Sequence, residues 1–120
     1  MGRFFSTFFL LIWATSLGAS VIGSLDKAKK LAKLYEKPII CFFDNSMDEE
    51  GRLALAKEYF NDKLMYNSFS HTHLFTHSKS GEHGISGFMI ISSEGEVVST
   101  INTYKDMASL VSDISAPSTF

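Results

Sequence analysis

Four histidines fall close together in this 120-residue chain, as His71-x-His73-x3-His77 with His83 in the polar stretch that follows. Neutral imidazole is a ligand for zinc and copper, so the cluster is a candidate metal site. If the chain from Phe69 to Thr76 is a strand, its period of two points His71, His73 and His77 to one face, with the first two about 7 Å apart. His77 or His83 could then fold back as a third ligand, and Glu82 could add an oxygen. Imidazoles titrating near pH 6.5 would also make such a surface pH-responsive without a metal. The plainer alternative is a row of polar residues on a partly exposed strand, since no HExxH or paired Cys-x-x-Cys accompanies them.

The other chemistry-bearing residues collect in Lys37–Gly51, KPIICFFDNSMDEEG. Cys41 is the only cysteine and lies in the apolar run Ile39–Phe43, where a buried, inert thiol is expected and a reactive one is the alternative. Asp44, Asp48, Glu49 and Glu50 could supply a carboxylate pair for acid–base work. Capping is the simpler role, because a carboxylate at a helix N-terminus stabilises it by roughly 0.3–1 kcal/mol. No Gly-x-Ser-x-Gly elbow places a serine nucleophile, so no catalytic residue is assigned.

These residues need elements to hold them. Ser24–Glu36 reads as a helix with Leu25, Ala28, Leu31, Ala32 and Tyr35 on one stripe and Lys27, Lys29, Lys30 and Lys33 on a solvated face. Ile39–Phe43 reads as a strand buried on both sides, and Ser46-x-x-Glu49 as the capping box of a helix from Met47 to about Tyr59. An irregular piece around 63–68 is expected before the histidine strand. Gly87–Ser92 and Glu96–Ile101 form a hairpin with Gly95 in a left-handed turn position, and Thr103-x-x-Asp106 opens a last helix through Met107, Leu110, Val111 and Ile114. A βαβ unit followed by a ββα unit makes a mixed sheet with helices on both faces.

Residues 1–19 have the form of a signal peptide: Arg3, then an apolar run, then small residues before a cleavage point after Ala19. A cut before Ser24 is a second option, and retention of Phe4–Gly23 as an uncleaved anchor is the competing one. The expected place is therefore an exported compartment, periplasmic, secreted or lumenal, with any membrane contact made through that segment alone. The domain proper is assigned to 24–115 and a tail to 116–120. With 45% apolar and 20% charged residues a packed core is expected, and a net charge of −2 gives no reason to expect nucleic acid as a partner. A lone cysteine leaves stability to core packing, not to an internal disulfide.

Three stretches together resemble the thioredoxin-like family over about 24–115. KPIICFF resembles the Lys-Pro-apolar strand that precedes that family's active site. GISGFMIISSEGEVV, Gly84–Val98, resembles its hairpin, and the amphipathic C-terminal helix completes the set. The resemblance implies an α/β, thioredoxin-like three-layer sandwich. It also exposes two departures: the Cys-x-x-Cys positions hold Asp48-Glu49-Glu50-Gly51, and Ser86 stands at the cis-proline position. The family's disulfide chemistry therefore carries over to no residue here. The expectation is a redox-inactive module that binds a protein or peptide and needs no cofactor. The alternatives are a zinc- or copper-binding protein using His71, His73, His77 and His83, and a thiol activity through Cys41 alone.

Overall fold

The computed structural model of the chain describes residues 18–79 and 86–116. The proposed signal segment and tail, His83, Glu82 and Gly84 thus lie almost wholly outside the described residues. Five strands, β1 (Val21–Ile22), β2 (Ile39–Asp44), β3 (Leu74–Ser78), β4 (Ser86–Ile91) and β5 (Val97–Ile101), form one mixed sheet in the order β1-β3-β2-β4-β5. β3 runs parallel to β1 and β2, whereas β4 is antiparallel to β2 and β5. Four helices accompany them among the described residues: α1 (Leu25–Tyr35), α2 (Glu49–Asn61), α3 (Lys63–Phe69) and α4 (Met107–Ser115). The α/β class and the helices on both faces agree with the expectation from sequence.

Strand β2 is central, and all six of its residues are buried. Its alternation splits the core into two parts. Ile39 and Cys41 meet Ala28 and Ala32 of α1, together with Ile91. Ile40 and Phe42 meet Ala56, Phe60, Met65, Leu110 and Ile114 from α2, α3 and α4. The larger side is aromatic. Phe42, Tyr59 and Phe88 pack with ring centroids 5.1–5.4 Å apart, and Phe60 stacks on Phe75 at 4.4 Å. Each such ring buries enough apolar surface to contribute about 1.5–3 kcal/mol.

Helix α1 starts where expected, with the Ser24 hydroxyl accepting from the Lys27 N–H. It ends at Glu36, a left-handed residue at φ 56° whose N–H returns to the Ala32 carbonyl. Lys27, Lys29, Lys30 and Lys33 are exposed as foreseen, but Tyr35 is 59% exposed and leaves the apolar stripe. Gly95 takes the left-handed turn position at φ 93°, closing the β4–β5 hairpin.

Three expectations are corrected. The capping box at Ser46 does not form, because the Ser46 N–H and hydroxyl both donate to the buried Asp44 carboxylate, at 2.7 and 2.6 Å. Asp48 caps α2 instead, accepting from the Gly51 N–H at 2.7 Å. The last helix likewise starts at Met107, capped by Asp106, three residues beyond the Thr103 start. The largest change concerns residues 63–73. Asp62 ends α2 and caps α3 by accepting from the Leu64 and Met65 N–H groups, so the piece expected to be irregular is helical. Met65 and Phe69, four residues apart, are buried on its inner side. The strand consequently begins at Leu74 and not at Phe69.

Candidate functional site

That shift dismantles the row of histidines. His71 lies in the exposed turn after α3, and His73 in the link to β3; only His77 is on the strand. His73 precedes the strand and His77 lies within it, so the two do not share the period-of-two display that was expected. No group of three or more His, Cys, Asp or Glu side chains suited to a metal occurs among the described residues. The expected one-faced display of His71, His73 and His77 is therefore replaced by three separate environments, and His83 lies outside the described residues.

His73 is half-buried beside Phe69, whose ring meets it edge-on at 5.0 Å, and its Nδ1 lies 2.8 Å from the Thr72 hydroxyl. Burial pushes its pKa down from 6.5 to about 4, so the ring is neutral at physiological pH. His77 is buried, 2% exposed, and sits beside Phe42 in the parallel register of β2 and β3.

The partner of His77 is Arg52, on the first turns of α2. Its Nε donates to His77 Nδ1 at 3.1 Å, while its Nη1 reaches the Met47 carbonyl at 3.5 Å. A guanidinium can only donate, so Nδ1 must be the acceptor and the ring proton sits on Nε2. The pair thus fixes a neutral tautomer. Burial first, then the Arg52 charge, hold the His77 pKa below its ordinary value, against a smaller opposing pull from Glu49. His77 Nε2 is itself buried and has no hydrogen-bond partner among the described residues.

Arg52 is not among the candidate site residues that the sequence suggests. The available signal was the four-residue spacing of Arg52, Ala56 and Phe60, all of which are buried. An arginine in that series is read as polar surface by default, whereas here its stem packs inward and its head bonds across to β3.

Cys41 belongs to the opposite side of the sheet, packed among Ala28, Ala32, Ile39 and Ile91. It is fully buried, and its Sγ approaches the Phe42 carbonyl at 3.6 Å. Burial pushes its pKa up to about 12, despite a lowering hydrogen bond from Ser78 and the charges of Arg52 and Lys29. The N-terminus of α2, where a thiolate could be stabilised, is taken by the Asp48 carboxylate. Ser86 stands opposite Asp44 at the start of β4.

No helix among the described residues is long and apolar enough to cross a membrane. No protein-family model matches the chain, and no curated protein matches it.

Proposed function

We propose that this chain is a redox-inactive, thioredoxin-like module that acts by binding a protein or peptide, in an exported compartment. The observation that carries the reading is the state of Cys41, the only thiol in the chain. With its pKa at about 12, roughly one part in 10⁵ is thiolate at pH 7. Disulfide exchange needs an accessible thiolate, and burial in the central strand withholds both the charge and the access. The same burial weighs against a separate thiol activity of Cys41.

The architecture supports the thioredoxin-like part of the reading. A parallel β1–α1–β2 and β3 unit is followed by an antiparallel hairpin and a closing helix, in a three-layer arrangement around β2. Asp48 caps α2 at the position that the resemblance assigns to the first redox cysteine. Scaffold without reactive groups is what a binding module of this architecture would retain.

An insulin-reduction assay tests the redox half. The purified chain and its Cys41→Ser variant should both be indistinguishable from buffer, and activity of the parent above the variant would refute it. A peptide array probed with the full chain tests the binding half. Cys41→Ser should retain the same peptides as the parent, and an array with no retained peptide would refute it.

A further inference from the structure

The outer side of β5 is a sheet edge. Strand β5 pairs with β4 alone and closes the sheet at the end opposite β1, so one side of its backbone meets no described strand. An open edge of this kind is a template for one more strand. Edges are commonly blunted by charges or bulges; β5 carries one register shift, at Val98 between the Ser99–Ile90 and Val97–Ile91 pairs, but its five residues Val97, Val98, Ser99, Thr100 and Ile101 bear no charge. Val97 and Val98 are 56% and 47% exposed, and they are two of the five large apolar side chains left in solvent among the described residues.

A groove accompanies the edge. It follows Val98 through Thr103 on one side and reaches Asp113 of α4 on the other, with a volume of about 430 Å³. Six consecutive residues, 98 to 103, line it, which suits an extended chain. Of the residues lining the groove Asp113 alone is charged, and its chain neighbourhood is acidic. The segment 92–116 carries Glu94, Glu96, Asp106 and Asp113 against Lys105, and Lys29 of α1 approaches the hairpin turn at Gly95. Four carboxylates against two lysines leave the surroundings of the edge negative. Asp106, held below its ordinary pKa by the Ser109 amide and side chain, keeps its charge through mildly acidic conditions.

The geometry points to β5 as the docking edge for an extended, basic peptide, which adds a sixth strand and lays its side chains into the groove beside Asp113. The inference rests on the binding role proposed above and names its surface and the chemistry of its partner. Main-chain hydrogen bonds along β5 would supply affinity, alternate side chains against Val98 and Thr100 the selectivity, and the carboxylates the preference for lysine and arginine.

The test uses the full chain with two synthetic peptides, one alternating lysine with valine and the other alternating glutamate with valine. Binding is followed by calorimetry, and the surface by amide hydrogen exchange. The lysine peptide should bind, slow exchange at Val97–Asn102, and weaken as salt rises; the glutamate peptide should not bind. Val98→Lys/Thr100→Lys blunts the edge at two solvent-facing positions and should weaken binding by about tenfold or more. Asp113→Lys leaves the strand untouched and should weaken it by about threefold or more. Three results overturn the inference: no binding of the lysine peptide, protection away from β5, or unchanged affinity in both variants. Protection of β5 that grows with protein concentration and without peptide would also overturn it, by making a second copy of the chain the occupant. The array experiment is independent of these outcomes, so peptides retained there by the edge variants would sink β5 while leaving the binding role standing.

Discussion

Arg52 and His77 make a buried polar pair whose energetics can be worked out from the geometry. Replacing Arg52 by Met removes the donor at 3.1 Å and leaves the enclosed ring with both nitrogens unpaired, since Nε2 already lacks a partner. An unsatisfied buried polar group costs about 1–3 kcal/mol, so Arg52→Met should destabilise the fold by about 2 kcal/mol. His77→Phe strands a guanidinium that is 9% exposed and has one long contact to Met47, at an expected cost of about 3 kcal/mol. The double variant removes the donor, the acceptor and the orphaned Nε2 together, and should lie within about 1 kcal/mol of the parent. Urea unfolding at pH 7, followed by far-UV circular dichroism, measures all four corners of this cycle. Losses that simply add in the double variant would refute the pairing.

Acid gives the same pair a second reading. Both His77 and His73 have folded pKa values below the ordinary 6.5, so the unfolded chain takes up their protons more readily. Stability should therefore be full above pH 6.5 and fall as the pH drops from 6.5 towards the folded values, about 4 for His73. The His73 shift is worth at most about 3 kcal/mol, and solvent access at its half-buried ring reduces that to about 1–2 kcal/mol. His77→Phe should flatten the slope, and an unchanged slope would show that His77 does not titrate on unfolding.

Three further outcomes are expected. Native Cys41 should fail to react with a thiol reagent at pH 8 and react fully in denaturant; stoichiometric native labelling would contradict its burial. Gly87→Ala should destabilise by about 2 kcal/mol or more, because an added Cβ would collide with the Ile101 carbonyl on β5, and a melting temperature within a degree or two of the parent would contradict that close approach. Asp48→Ala should lose about 1 kcal/mol as a helix cap, more than Glu49→Ala; the reverse order, by thermal melting, would restore the Ser46–Glu49 box.

Elements with a strong internal pattern were legible from residues alone. The five-residue apolar run of Ile39–Phe43 could hardly be anything other than a central strand, and Ser24 and Gly95 carry their own local reasons for starting a helix and turning a hairpin. Errors arose where one short polar side chain had two possible partners. Ser46 could have capped α2, but the buried carboxylate of Asp44 captured its hydroxyl. Asp62 stops one helix and, through its side chain, starts the next. From that second choice followed the five-residue delay of β3 and the dispersal of His71, His73 and His77.

By itself, then, the amino-acid sequence determined the α/β class, the hairpin, the closing helix and the absence of a Cys-x-x-Cys pair, since composition and local periodicity suffice for these. Tertiary structure alone decided that Arg52 turns inward to fix the His77 tautomer, and that His71, His73 and His77 do not line up on one strand face. It also decided which strands, β1 and β5, stand at the two ends of the sheet among the described residues. Pairing across a sheet joins residues far apart in the chain, and no local spacing records which strand is left last in the row.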